Sequence, residues 1–277
     1  MIMLYEKISL STCNGTQVDM DVYCPDVKGR DDRNALRTGI VICGGGGYLY
    51  VSDRETEPVA LRFCAMGFNT YVIHYRTAPN RFPCAVQDIA GAVAFVREHA
   101  VSYLQHPERI AVLGFSAGGH AACSLGVMWQ QEELWQPIGK KPDDVKPNAM
   151  VLCYPVITAG EYAHRGSFEN LTGEKEIAAH KRYSLEKLVT EQTPPAFIWS
   201  TWDDASVPCQ NTLYLAERMR EHGVQAEVHI YPHGVHGLSL ADRTTWCSDP
   251  DLLQPSVAGW PVLAANFLNS LFTGNEQ

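Results

Sequence analysis

Three separated stretches of this 277-residue chain carry residue types that could act together on an acyl group. The first is Gly114-Phe115-Ser116-Ala117-Gly118, a G-x-S-x-G pattern that follows the apolar run Ile110 to Leu113 and precedes the small-residue segment Ala121 to Leu125. Such a pattern makes a strained turn from strand to helix that lifts a serine hydroxyl clear of a sheet. The free N–H groups at the helix start, Ala117's first among them, can donate to an oxygen that turns negative during acyl transfer. The second stretch is Gly44-Gly45-Gly46-Gly47-Tyr48, directly after the apolar run Ile40 to Cys43. Glycines there let main-chain N–H groups approach a substrate without a Cβ in the way, and Gly45 and Gly46 are the expected donors. A phosphate-binding loop would need a Lys-Ser/Thr pair or a G-x-G-x-x-G, and the run supplies neither.

A serine hydroxyl needs a base to take its proton as it attacks. Catalytic groups lie on loops past the carboxyl ends of parallel strands, which selects His233 and His236 in Tyr231-Pro232-His233-Gly234-Val235-His236-Gly237 from ten histidines. In a fold of this kind the orienting acid lies between serine and histidine along the chain. Thr201-Trp202-Asp203-Asp204-Ala205-Ser206-Val207-Pro208 offers Asp203 and Asp204. As a turn, this pair would only cap the next helix, and the histidines would only sit on a surface loop; their joint occurrence in order favours chemistry. A zinc site through His233 and His236 lacks H-E-x-x-H and clustered cysteines, so no metal and no cofactor is expected.

The elements that must hold these loops follow from periodicity. Tyr5 to Ser11 and Gln17 to Tyr23 read as a hairpin turning at Asn14-Gly15, closed by Pro25 and a polar loop. After it, unbroken apolar runs at Thr38 to Cys43, Asn69 to Tyr75, Ile110 to Leu113, Ala149 to Tyr154, Ala196 to Trp199 and Ala226 to Tyr231 read as strands of a parallel sheet. Helical segments alternate with them at Glu57 to Met66, Ala85 to His99, after Ser116, and at Cys209 to His222, with Trp260 to Phe272 last. The pattern predicts one α/β domain over residues 1–277, with a mostly parallel central sheet and helices on both faces. Residues 159 to 193 break the rhythm and predict a small cap-like insertion near the site. Arg76 and Asp88 read as a buried pair bracing two loops, and His120, one turn into the serine helix, as buried against the sheet.

Composition excludes other classes. A hydrophobic fraction of 45% with 19% charged residues is that of a folded globular chain. A net charge of −9 without a Lys/Arg cluster argues against nucleic acid. No apolar run is long enough to span a bilayer, the start has no signal-peptide pattern, and nine dispersed cysteines without a C-x-x-C pair suit a reducing compartment. A cytoplasmic protein without membrane partner is expected; assembly into a homo-oligomer stays open.

From Ile40 to His236 the sequence resembles the esterase/lipase group of the α/β-hydrolases, in particular acetyl esterases and acetylxylan-esterase-like proteins. The resemblance rests on Gly44 to Tyr48, Tyr75-Arg76-Thr77-Ala78-Pro79, Phe82-Pro83 with Asp88, Gly114 to His120, Asp203-Asp204 with Val207-Pro208, and His236-Gly237. It implies an α/β-hydrolase fold with Ser116 as nucleophile, Asp203 as acid and His236 as base, and Gly45, Gly46 and Ala117 as oxyanion-hole donors. The implied activity is hydrolysis of a small-molecule ester with a short, acetyl-sized acyl group on a polar alcohol such as a carbohydrate. Tyr48 and Trp202 are expected to wall the pocket, and the polar 159–193 segment lacks the apolar face of a lipid-contacting lid. Two rival readings are a small peptidase related to the prolyl-oligopeptidase group, suggested by the same Asp-Asp-x-x-Val-Pro loop, and a non-catalytic binding protein on a hydrolase fold.

Overall fold

The computed structural model describes residues 2–26 and 36–273. The opening hairpin pairs β1 (Ile2–Ser11) with β2 (Gln17–Asp26) in antiparallel register, Leu10 opposite Val18 and Tyr5 opposite Tyr23. The polar loop expected after it lies mostly outside the described residues. Then come β3 (Arg37–Cys43), α1 (Glu57–Ala65), β4 (Asn69–Ile73), α2 (Cys84–Glu98), β5 (Gln105–Phe115) and α3 (Ser116–Met128). The short turns α4 (Glu132–Trp135) and α5 (Pro142–Val145) lead to β6 (Ala149–Cys153). Beyond it are α6 (Arg165–Thr172), the turn α7 (Ile177–His180), β7 (Ala196–Thr201), α8 (Gln210–Glu221), β8 (Ala226–Tyr231) and α9 (Trp260–Thr273).

The eight strands form one sheet in the order β1-β2-β4-β3-β5-β6-β7-β8. Pairing is antiparallel through β1, β2 and β4, and parallel from β4 to β8. Strands β3, β5, β6 and β7 each contain an unbroken apolar run, Ile40 to Cys43, Ile110 to Leu113, Ala149 to Cys153 and Ala196 to Trp199, because both faces are covered there. Ile40, Ile42, Leu113, Val151 and Trp199 are buried beneath α1 and α9; Val41, Val112, Leu152 and Ile198 are buried on the opposite side beneath α2, α3 and α8. The edge strands differ as their exposure requires. Along β1, Ile8 and Leu10 turn inward while Lys7, Ser9 and Ser11 face water, and β8 is only partly covered. The expected sheet and its two helical layers are therefore present.

Arg76 and Asp88 form the expected brace. The carboxylate of Asp88 is fully buried and accepts from the backbone N–H and the guanidinium of Arg76 at 2.7 to 3.1 Å. This fastens the loop after β4 to the first turns of α2.

Candidate active site

No residue separates β5 from α3: Phe115 ends the strand and Ser116 opens the helix, with Ser116 at φ 52°. That left-handed backbone is unfavourable for any residue with a Cβ, so packing must hold it. The two flanking glycines provide the closeness. A Cβ on Gly118 would lie 2.3 Å from the carbonyl oxygens of Cys43 and Gly44, and one on Gly114 would lie 2.3 Å from the Gly118 oxygen. The β3 loop, the elbow and α3 thus meet backbone to backbone.

His236, on the loop after β8, places Nε2 2.8 Å from Ser116 Oγ and Nδ1 2.7 Å from Asp204 Oδ2. A carboxylate only accepts, so Nδ1 carries the ring proton and the Nε2 lone pair faces the serine hydroxyl. The other Asp204 oxygen accepts from the backbone N–H groups of Ser206 and Val207, each at 2.9 Å, and its side chain is almost wholly buried.

This corrects the expectation for Asp203. Its carboxylate meets His233 Nδ1 at 3.1 Å and the Gly234 N–H at 2.8 Å on a surface where half of its side chain, and most of that of His233, is exposed. The hydrogen bond from His233 holds the Asp203 carboxyl below its ordinary range. The chain after β7 alternates direction, so neighbouring acids point opposite ways: Asp204 inward to His236, Asp203 outward to His233. The turn-capping role assigned by turn chemistry and the contact with the histidine belong to the same residue, one oxygen each.

Gly45 also departs from expectation. Its N–H donates to Glu55 Oε2 at 2.8 Å and is not free for a substrate. Gly46 and Ala117 remain, their N–H groups donating to no acceptor among the described residues. Gly46 stands at φ 120°, where a Cβ would lie 2.3 Å from the Tyr50 oxygen; only glycine fits that turn.

A cleft of about 460 Å³ opens over Ser116 and His236. Gly46, Leu49, Tyr50, Ser52 and Glu55 line it from the β3 side, and His164, Gly166 and Asn170 from the 159–193 segment. Tyr48 and Trp202 do not line it. Tyr48 is buried under the elbow helix, its hydroxyl 2.8 Å from His120 Nδ1. Trp202 is 65% exposed beside the acid loop, its backbone N–H extending the sheet to the Tyr231 carbonyl. The rings that sequence assigned to the pocket walls are replaced by Leu49 and Tyr50, both largely exposed at the cleft mouth.

His164 hydrogen-bonds Ser167 Oγ at 2.8 Å; burial, then the nearby His236, lower its pKa. His120 is fully buried, as expected. Its Nε2 meets the Tyr183 carbonyl at 3.0 Å, so Nε2 must hold the proton and Nδ1 accepts from Tyr48. Desolvation pushes its pKa down to about 4. Behind the site, Glu55 is buried and its Oε1 accepts from the Tyr154 hydroxyl at 2.6 Å. The Tyr154 oxygen accepts in turn from Ser239 N–H at 2.9 Å, and burial holds that phenol well above its ordinary pKa. The Tyr154 ring lies edge-on to His236, centroids 5.1 Å apart. Glu55 escaped notice because Asp53-Arg54-Glu55-Thr56-Glu57 reads as a solvated polar run, and only the one-turn helix Asp53–Glu55 buries its third residue.

The sheet order and the elbow serine are those of the α/β-hydrolase fold. The BD-FAE family matches residues 20–219, and the chain belongs to this family of α/β hydrolases. It is 34% identical over 215 residues to endo-1,4-beta-xylanase B of Butyrivibrio fibrisolvens, covering 74% of this chain and 33% of that protein. It is 28% identical over 262 residues to an acetylxylan esterase of Xylanibacter ruminicola, covering 92% of this chain and 50% of that protein. The chain thus spans half or less of the length of these two curated relatives. Among solved structures it resembles an acetyl ester-xyloside bifunctional hydrolase from Caldicellulosiruptor lactoaceticus, with a TM-score of 0.78 at 34% identity over 94% of this chain and 90% of that one. No helix among the described residues is long and apolar enough to cross a membrane.

Proposed function

We propose that this protein is a serine carboxylic ester hydrolase that removes short acyl groups, acetyl foremost, from carbohydrate alcohols. The observation that carries the reading is the unbroken relay from Ser116 Oγ through His236 to Asp204, at 2.8 and 2.7 Å. In the first half-reaction Ser116 Oγ attacks the ester carbonyl while His236 Nε2 takes its proton, and Asp204 stabilises the imidazolium. The N–H groups of Gly46 and Ala117 receive the oxyanion. His236 then protonates the leaving alcohol, and the acyl group stays on Ser116. In the second half-reaction water attacks the acyl-enzyme with His236 again as base, releasing the acid and free serine.

The substrate class is supported by the relatives named for acetylxylan and acetyl ester-xyloside hydrolysis and by the cleft itself. Its volume suits a small ester, and Ser52, Glu55, His164, Asn170 and Ser206 give it a polar lining that matches hydroxyl-rich alcohols better than lipid chains. The 159–193 segment serves as the cap of a single domain, supplying one wall of that cleft. Nine cysteines, all free thiols, support a cytoplasmic working place.

A p-nitrophenyl ester series from acetyl to palmitoyl, followed by acetylated xylo-oligosaccharides, tests the proposal. Activity should peak at acetyl and extend to the oligosaccharides. A peak at octanoyl or beyond, or no deacetylation of any sugar, refutes the corresponding half.

A further inference from the structure

Glu55 lines the cleft beside Ser116 and His236, yet no step of the proposed reaction uses it. A buried carboxylate is costly unless it is paired or well hydrogen-bonded, and among the described residues the groups that hydrogen-bond this one are neutral. Oε2 accepts from the Gly45 N–H at 2.8 Å and Oε1 from the Tyr154 hydroxyl at 2.6 Å. These bonds lead to the two loops whose relative position matters most. Gly45 immediately precedes Gly46, so its bond to Glu55 fixes the peptide geometry that aims the Gly46 N–H. Tyr154 lies at the end of β6 and packs its ring edge-on to His236. Its oxygen receives the Ser239 N–H, three residues beyond that histidine.

We infer that Glu55 is a positioning residue that ties the glycine loop bearing the oxyanion donor to Tyr154 and, through it, to the loop bearing His236. This rests on the ester-hydrolase reading for its effect on rate, but not for its effect on the loops. Oxyanion donor and base come from segments about 190 residues apart in sequence, and misplacing either by an ångström is enough to cost on the order of 10²-fold in rate. A glutamine cannot reproduce the tie. Its oxygen can accept from Gly45, but its amide would then donate to a tyrosine oxygen that already accepts from Ser239, and the phenol would lose its acceptor.

Two variants test the inference. Glu55→Gln breaks the chain at its centre. Tyr154→Phe removes one hydroxyl and keeps the ring against His236, so it reports on the chain even if the first variant folds poorly. In Tyr154→Phe, amide hydrogen exchange should be about 10-fold faster at Ser239, whose acceptor is deleted, the scale of one lost hydrogen bond, and it should rise at Gly45 too, although the acceptor of that amide is intact. In Glu55→Gln it should rise at Ser239, although the Tyr154 oxygen is still there. On p-nitrophenyl acetate, kcat should fall on the order of 10²-fold while KM stays within about 3-fold. The double variant should be no slower than the slower single one, because one chain is broken either way. Unchanged exchange at Gly45 in Tyr154→Phe and at Ser239 in Glu55→Gln, or a loss confined to KM, overturns the inference. A wild-type protein inactive on every ester would instead refute the hydrolase reading, while the exchange rates still decide whether Glu55 couples the loops.

Discussion

Asp204 and His236, 32 residues apart in sequence, meet at 2.7 Å, and the geometry leaves the carboxylate no freedom to choose another partner. Its second oxygen is held by the N–H groups of Ser206 and Val207. The hydrogen bond to the imidazole is therefore set before any substrate arrives, which is the condition for electrostatic stabilisation without reorganisation.

The two neighbouring acids should separate cleanly in kinetics. Asp204→Asn should lower kcat by about 10³- to 10⁴-fold, the scale seen when a triad carboxylate becomes an amide. Asp203→Asn should change it less than about 3-fold, as expected of an exposed pair. Steady-state rates on p-nitrophenyl acetate check both; a larger loss at Asp203 would reverse the assignment.

Ser116→Ala should abolish labelling by a fluorophosphonate probe and reduce turnover by about 10³-fold or more. Ser116→Gly should be equally inactive but more stable than the alanine variant by about 1 kcal/mol, because glycine alone is at ease at φ 52°. Denaturant midpoints of the two variants measure the difference.

His120 predicts a pH dependence of stability. Desolvation lowers its pKa to about 4, whereas in the unfolded chain it titrates near ~6.5. As pH falls, the unfolded state therefore takes up the proton first. Its contribution is fully present above about pH 6.5, declines between there and about pH 4, and levels off below; the total is on the order of 3 kcal/mol. In the folded protein its ring resonances should titrate below pH 5. Titration near 6.5 would contradict the burial argument.

Arg76→Ala should destabilise the fold by about 3–5 kcal/mol, since it strands the fully buried Asp88 carboxylate without its cation. Equilibrium urea unfolding reads this directly. The cleft is built from other residues, so activity of the folded fraction should persist.

Most of the scaffold could be read from the chain because apolar continuity over 4 to 6 residues in β3, β6 and β7 leaves no alternative to a doubly covered sheet. That Ser116 would stand on a strained elbow and come within reach of His236 was legible for a related reason: such an elbow and a loop past the last strand are positions that topology dictates. The choice between Asp203 and Asp204 was not legible. Adjacent residues of one type differ only in which way the backbone turns them, and that is set by the Asx turn to Ser206 and Val207. The same limit applies to the glycine run, where the donor facing the cleft depends on Glu55 having claimed the Gly45 N–H. Tyr48 and Tyr50 exchanged roles because Tyr48, at φ 59°, turns into the core and leaves the mouth to its neighbours.

The cap wall and the donor loop are not independent parts. Asn170 Nδ2 donates to the Gly47 carbonyl at 2.9 Å, and the carbonyls of Asn170 and Leu171 are held by Arg81 and by the Phe82 N–H. A variant library that enlarges the cleft by remodelling α6 would therefore also loosen the peptide next to Gly46. Gains in substrate range would come with slower turnover unless a second change restores a donor to the Gly47 oxygen, so adaptation to bulkier alcohols has an easier route through Leu49 and Tyr50, whose side chains stand at the mouth.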